Sequence, residues 1–283
     1  MTDTEALWDM LDDRLLPLFR QYRRNLSDLR VDTKADDTLL SEADIAVQTA
    51  IIDTISHLFP GSEFVAEEDD WTAPTSGDPT WIVDPIDGTA EFVVPGRREF
   101  CSVVCRVDRG IPSAAYVLAP ELGTGGTPIS IHWAEGVTVD GQPAPPLPAA
   151  DRPGRASVTR SADVPARRFE SELADIGCRM KVRTTSQTLD MVRTCIDLTA
   201  WTGESQERFD LFYRTDQKIW DGAAGIGLSL AMGRSATDGR GAALVPLSEE
   251  FLNLREPVLA ETVSGAEGCV RWFTELLAES RSI

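Results

Sequence analysis

Beyond residue 155, strand-like and helix-like segments take turns along the chain, and this alternation restricts the fold more than any other feature. Strand-like 155–159 precedes helical 165–176, strand-like 180–184 precedes helical 186–199, and strand-like 209–213 precedes a helix opened by Asp221-Gly-Ala-Ala and closed by Gly233. A two-residue apolar period buries a sheet face, whereas apolar groups three and four apart bury a helix stripe. A chain that keeps switching between the two builds mixed α/β layers.

The first half carries the same signals in a different order. Leu7, Met10, Leu11, Leu15, Leu18 and Tyr22 predict a helix over 5–26, kinked at Pro17. Ser41 and Asp44 form a capping-box pattern before a helix that places Ile45, Ile52, Ile55 and Phe59 on one face and stops at Pro60-Gly61. Strands are expected at 63–66 and 81–83, and a hairpin at 100–107 and 113–118 around Asp108-Arg109-Gly110. Ser264 and Glu267 suggest another capping box before the last helix. Pro143, Pro145, Pro146, Pro148 and Pro153 crowd residues 141–154 and mark a boundary between an N-terminal lobe, 1–142, and a C-terminal lobe, 155–283.

Composition narrows the partners. A net charge of −19 repels long nucleic acids. No run approaches the roughly 20 apolar residues of a membrane span, and the acidic start MTDTEALWDMLDD lacks the order of a signal peptide, so a cytoplasmic location is expected. The five cysteines have no zinc-like spacing, and the two histidines, His57 and His132, stand apart. A small soluble molecule is the expected partner.

Three separated segments put carboxylates where a strand ends or a helix starts: Glu67-Glu68, Asp84-Pro-Ile-Asp87, and Asp221. Taken singly, each has a plain structural explanation. Glu67 to Asp70 suits a solvated acidic loop, Asp84 to Thr89 a β-turn, Asp221 a helix N-cap, and Asp44 the partner of Ser41. Taken together they suit a hard divalent cation. Pro85 fixes one φ angle and Gly88 permits a tight turn, so two aspartates three apart and the carbonyl between them can address one point. Oxygen-only donors select magnesium over zinc.

Trp81-Ile-Val-Asp-Pro-Ile-Asp-Gly-Thr89, with Ala66-Glu-Glu68 upstream and Trp220-Asp-Gly-Ala-Ala-Gly225 downstream, resembles the inositol monophosphatase family. The resemblance runs from about Lys34 to Gly241 and is strongest before Pro120. It implies an α/β (α+β) fold, a layered α/β/α/β/α sandwich of two lobes, and a magnesium-dependent, lithium-sensitive phosphatase. It further implies that Glu67, Asp84, the carbonyl of Ile86, Asp87 and Asp221 hold two or three Mg2+ ions. Thr89, paired with Asp44, would orient and deprotonate the attacking water, with Glu67 assisting through the metal. Backbone N–H groups of Gly88 and Thr89 would hold the phosphate, beside Asp87 and Asp221. Family members occur as monomers and homodimers, and both remain open here.

Within the family, Glu91-Phe92, Arg98-Glu-Phe100 and Tyr213-Arg214 followed by Trp220-Asp221 resemble the 3′(2′),5′-bisphosphate nucleotidase branch. That branch releases phosphate from 3′-phosphoadenosine 5′-phosphate, and Arg214 would meet the second phosphate or the ribose. Leu40-Ser41, Thr185-Ser186 and the segment 202–208 depart from the usual pattern. An inositol or sugar monophosphatase, a specialised biosynthetic phosphatase and a catalytically silent nucleotide-binding protein are the alternatives.

Overall fold

A computed structural model of the chain describes residues 2–34, 39–68, 79–160, 164–203 and 208–281. Asp69, Asp70, the Pro/Gly/Ser-rich loop after them, part of the 31–38 loop and the middle of the 202–208 segment lie outside these residues.

Helix α1 (Asp3–Arg24) leads through a short hairpin, β1 (Val31–Thr33) and β2 (Leu39–Ser41), into α2 (Glu42–Leu58). Strand β3 (Glu63–Ala66) pairs parallel with β4 (Thr80–Asp87), which passes through the four-residue helix α3 (Thr89–Phe92). Strands β5 (Cys101–Asp108), β6 (Ile111–Ala119), β7 (Ile129–Trp133), β8 (Val137–Val139) and β9 (Gln142–Pro143) then add in sequence, all antiparallel, to complete a seven-stranded sheet. The second half builds a five-stranded sheet. Its elements are β10 (Arg155–Arg160), α4 (Arg168–Asp175), β11 (Arg179–Arg183), α5 (Gln187–Val192), α6 (Thr199–Thr202), β12 (Leu211–Lys218), α7 (Ile219–Ala231), β13 (Ser235–Thr237), α8 (Glu249–Leu252), β14 (Val258–Gly265) and α9 (Glu267–Arg281). The strand order is β11-β10-β12-β14-β13.

Three apolar clusters glue these elements into five layers. Leu7, Trp8, Leu11, Leu15 and Phe19 of α1, with Val47, Ile51 and Ile55 of α2, pack on one face of the seven-stranded sheet through Trp81, Val83, Val104 and Tyr116. The other face, with Ile82, Val103 and Val117, meets Leu189 and Met191 of α5, Ala223, Ala224 and Ile226 of α7, and Phe212 and Leu259 of the second sheet. The far face of that sheet packs Ala156, Leu211 and Tyr213 against Leu173 of α4 and Phe273 of α9. Each large side chain fully withdrawn from water contributes about 1.5–3 kcal/mol. The result is the α/β/α/β/α sandwich expected from the sequence. The middle cluster draws on both sheets, so the two halves share one core.

Several local expectations need correction. In α2 the buried stripe is Val47, Ala50, Ile51, Thr54 and Ile55; Ile45 is exposed, because Ala43 and Asp44 turn inward at the helix start. The helix expected over 186–199 is split into α5 and α6. Asp221 is the third residue of α7, whose N-cap is Lys218. Ser264 belongs to β14, where its hydroxyl lies 2.9 Å from that of Ser229, and does not cap α9. The proline-rich segment is no free linker: β9 closes the first sheet inside it, and Pro146 bridges to Ile196.

Candidate active site

Strand β4 lies inside the seven-stranded sheet with helices over both faces, and all eight of its residues are buried. Trp81 and Val83 face α1 and α2, while Ile82 faces the middle layer. Alternation therefore turns Asp84 toward the middle layer too. Regular alternation would send Asp87 the opposite way. Instead the pairing with β5 shifts register between Asp84 and Asp87, and Ile86 packs with Trp81 and Val83. Such a bulge re-aims a side chain, and Pro85 withdraws one donor from the ladder at that point.

Helix α7 brings Asp221 to the same place. After Ile219 and Trp220 it continues with the small residues Gly222-Ala-Ala-Gly225 where it packs closely on α5; a Cβ at Gly225 would stand 2.6 Å from the Met191 sulfur. One carboxylate oxygen from each of Asp84, Asp87 and Asp221 falls within 4.8 Å of the others. Asp87 is held on both oxygens: Oδ2 accepts from Ser186 Oγ and the Thr188 N–H, each at 2.7 Å, and Oδ1 from the Gln187 N–H at 3.2 Å. Asp221 Oδ2 accepts from Gln187 Nε2 at 2.5 Å. Both oxygens of Asp84 are buried and no donor reaches them.

Burial is the main reason these carboxyls resist ionisation. It drives Asp84 and Asp221 well above the usual carboxylate range, and the charges of Glu67 and of their neighbouring aspartates push further in the same direction. Burial likewise raises Asp87, but donors from Thr188, Ser186 and Gln187 limit its pKa to about 6. Three carboxyl groups close together, two of them buried and Asp84 without a donor, form a set of hard oxygens that a divalent cation would satisfy in charge and coordination.

Glu67 lies near enough to act on Asp84 and Asp221, yet its carboxylate is bonded elsewhere. Lys34 Nζ reaches Glu67 Oε1 at 2.8 Å and Glu68 Oε1 at 2.6 Å. Burial would lower the Lys34 pKa, but the two glutamates outweigh it and raise it. Burial and Glu67 lift Glu68 to about 7.

Asp44 is wholly buried at the start of α2. Its Oδ2 accepts from the Ser41 N–H at 2.8 Å and the Ser41 hydroxyl at 2.5 Å, while Oδ1 lies 3.2 Å from Thr89 Oγ1. Burial raises its pKa to about 6, against the pull of the Ser41 bonds. The Thr89 hydroxyl also lies 3.1 Å from the Ile86 carbonyl. Asp44 thus bonds the residue that caps α2 through one oxygen and Thr89 through the other. Between Asp87 and Thr89, Gly88 adopts φ 95°, and a Cβ there would stand 2.9 Å from the Glu99 carbonyl. Glycine is the residue that combines that dihedral with that contact.

Arg214 on β12 is partly buried. Its Nη1 donates to Thr184 Oγ1 at 3.0 Å, its Nε is buried without a partner, and the charges of Asp221 and Asp87 act on it. Glu91, Phe92 and Glu99 act as scaffold. Glu91 pairs with Arg97 and Arg183, Phe92 packs edge-on to Phe100, and Glu99 is gripped by Arg193 at 2.6 and 2.8 Å.

A model of the inositol monophosphatase family matches residues 10–271. The chain belongs to that family. Among its relatives, a histidinol-phosphatase of Mycobacterium tuberculosis is 31% identical over 224 residues, covering 76% of this chain and 79% of the relative. The 3′(2′),5′-bisphosphate nucleotidase CysQ of Escherichia coli K12 is 29% identical over 230 residues, covering 79% and 86%. An IMPase/NADP phosphatase solved with Mg2+ and phosphate shares the fold with a TM-score of 0.75 at 19% identity, covering 97% of this chain and 96% of its own. The family is one of phosphatases, and a divalent metal suits both it and the acidic cluster described above.

Gln187, Thr188 and Lys34 are residues bonded to the cluster or to Glu67 that sequence reasoning did not assign, and Ser186 entered it only within the departing pair Thr185-Ser186. Ser186 carried a signal as a Ser opening a helix: its hydroxyl accepts from the Leu189 N–H at 3.0 Å. Nothing local indicated that the same group also holds Asp87.

Proposed function

We propose that this chain is a magnesium-dependent phosphomonoesterase acting on a small, soluble phosphate monoester. One observation carries the reading: Asp84 keeps two buried oxygens free of any donor within a cluster of three carboxylates. In this reading Glu67, Asp84, Asp87, Asp221 and the Ile86 carbonyl hold two or three Mg2+ ions. When bound, such ions offset the charge of a dianionic phosphate and make water more acidic. Gly88 and Thr89 offer backbone N–H groups to the phosphate. Thr89 and Asp44 orient the attacking water, and Asp44 takes its proton, directly or by way of the Thr89 hydroxyl. A carboxyl with a pKa of about 6 is largely ionised at neutral pH and still basic enough for that task. The water oxygen forms a bond to phosphorus, the bond to the leaving oxygen breaks, the released alkoxide takes a proton from solvent water, and Asp44 returns its proton to solvent.

The substrate we favour is 3′-phosphoadenosine 5′-phosphate, supported by the likeness to CysQ and by Arg214, whose cationic head stands within the field of Asp221 and can meet a second anionic group. A second reading, histidinol phosphate, is supported by the 31% identical relative. Phosphate release from a panel holding both compounds and inositol 1-phosphate, with Mg2+ and with or without Li+, tests activity and substrate together. No release from any of them under any divalent metal overturns the enzyme and leaves a silent binding protein. No helix among the described residues is long and apolar enough to cross a membrane.

A further inference from the structure

Arg23, in the last turn of α1, lies outside every motif that marks the site, yet only 7% of its side chain is exposed. Its Nε and Nη2 hold both oxygens of Glu121, at 2.9 and 2.8 Å. Its Nη1 donates to the carbonyl of Phe92 and, at 3.2 Å, to that of Val94, and Nη2 donates to the carbonyl of Arg97 at 2.9 Å. A guanidinium has five N–H donors, so every one is spent: two on a carboxylate and three on a single stretch of main chain. The rings of Phe92 and Phe100 flank the cation at 5.8 and 5.0 Å.

A basic residue in the last turn of a helix ordinarily serves the carbonyl end of that helix. Arg23 spends its bonds elsewhere, on the chain that leaves α3. A helix of one turn is too short to hold itself in place. Within α3, the Glu91 and Phe92 N–H groups donate to the Gly88 carbonyl at 2.8 and 3.0 Å, and the Val93 N–H donates to the Thr89 carbonyl at 3.0 Å. Whatever fixes Phe92 and Val94 therefore fixes Gly88 and Thr89, one turn away. Thr89 must keep its hydroxyl between Asp44 Oδ1 at 3.2 Å and the Ile86 carbonyl at 3.1 Å, a geometry that a small rotation of the turn would spoil.

We propose that Arg23 is a positioning residue: by gripping the main chain after α3 it holds the Gly88–Thr89 turn and, through that turn, sets the Thr89 hydroxyl against Asp44. Its own bonds go to Glu121 and to carbonyls of residues 92–97, so it acts on the reaction only through Thr89. Lysine carries three donors around a point charge and cannot reproduce a planar fork that serves a carboxylate on one side and three carbonyls on the other. The inference rests on the phosphomonoesterase reading.

The test is a double-mutant cycle on the full chain, with p-nitrophenyl phosphate and Mg2+. Arg23→Lys and Arg23→Met should each lower kcat by about tenfold, the scale of a displaced reacting group, and leave KM and Mn2+ binding followed by electron paramagnetic resonance unchanged. On a Thr89→Val background the same changes should cost nothing further, because groups that act through one another are not additive. A role confined to stability would lower the melting temperature and subtract the same factor on both backgrounds. Circular dichroism establishes that each variant is folded. Should Arg23→Met fail to fold, Glu121→Gln, which keeps Arg23 and weakens its fork, carries the same cycle. Equal losses on the two backgrounds overturn the proposal, as does parental kcat in folded Arg23→Met. Absence of turnover by the wild type under any divalent metal sinks the phosphatase reading instead. Hydrogen exchange then decides the role of Arg23: faster exchange confined to residues 88–97 in Arg23→Lys supports the grip on the turn, and unchanged exchange there overturns it.

Discussion

The Ser186 hydroxyl donates to Asp87 Oδ2 at 2.7 Å across 99 residues of sequence. With the N–H groups of Gln187 and Thr188 it fastens the second half of the chain to the end of β4, so that the aspartate is shaped by both halves. Asp87 is in this sense the joint of the molecule as well as a candidate metal ligand.

Replacing Asp87 with Asn should therefore abolish phosphatase activity and leave the fold standing. The amide keeps one acceptor for the Ser186–Thr188 segment but loses the charge. A loss of at least about 100-fold in kcat/KM at saturating Mg2+ is expected, since even outer partners of metal ligands are worth 10–100-fold. Near-parental turnover would remove the core of the mechanism.

Asp84→Asn should make the metal-free protein more stable. Asp84 is a buried carboxyl with no donor and several like charges around it, so neutralising it relieves repulsion. The melting temperature without metal should rise by roughly 2–4 °C for each kcal/mol relieved. The same variant should lose the thermal shift that Mg2+ gives the parent. Differential scanning calorimetry with chelator and with Mg2+ measures both.

The pH dependence has a definite sign. Burial raises Asp44 and Asp87 from 3.8 to about 6, and raises Asp84 and Asp221 further. A raised folded-state pKa gives stability that is complete below the unfolded value and is lost as pH climbs through the folded one. These four groups should thus make the metal-free protein less stable as pH rises from about 4 through 6 and beyond. Because the ligands must ionise to bind, stabilisation by Mg2+ should grow over the same interval. A melting series at fixed Mg2+ that shows the thermal shift shrinking with pH would contradict this.

Thr89→Val removes the hydroxyl that lies between Asp44 and the Ile86 carbonyl while preserving the β-branched shape. A fall in kcat of about 100-fold is expected, the size of a positioned proton-transfer contribution. Affinity for Mn2+ should change little. Thr89→Ser should retain most of the activity. A Val variant as fast as the parent would exclude the Thr89–Asp44 pair from the chemistry.

Gly88→Ala tests the turn itself. The new methyl group meets the Glu99 carbonyl at 2.9 Å and must sit at φ 95°. The left-handed dihedral alone costs about 1–2 kcal/mol, and the contact adds to it. Denaturant unfolding should show at least that loss, together with weakened activity, because the turn sets Thr89.

Much of this candidate site was legible in the amino-acid sequence. The residues that make it are chemically conspicuous: aspartates three apart around a Pro, a Gly at the turn, an acidic pair, and Asp before a run of small residues. The five-layer architecture was implied by the family resemblance and was consistent with alternating apolar periods. The boundaries of the short helices were less legible, since α5 and α6 together are held by contacts to Asp87, Pro145 and the shared core more than by their own propensities.

The amino-acid sequence by itself determined which groups are available and where the chain can turn, because those properties belong to single residues and their immediate neighbours. Tertiary structure decided which way they face. A register shift of β4 against β5 puts Asp87 on the side of Asp84, the wedging of α7 between two sheets delivers Asp221, and Lys34 claims Glu67. The unpaired oxygens of Asp84 exist only after all of these choices are made. Side-chain direction in a bulged strand, and the saturation of a buried acceptor, depend on partners tens to hundreds of residues away, which no local window contains.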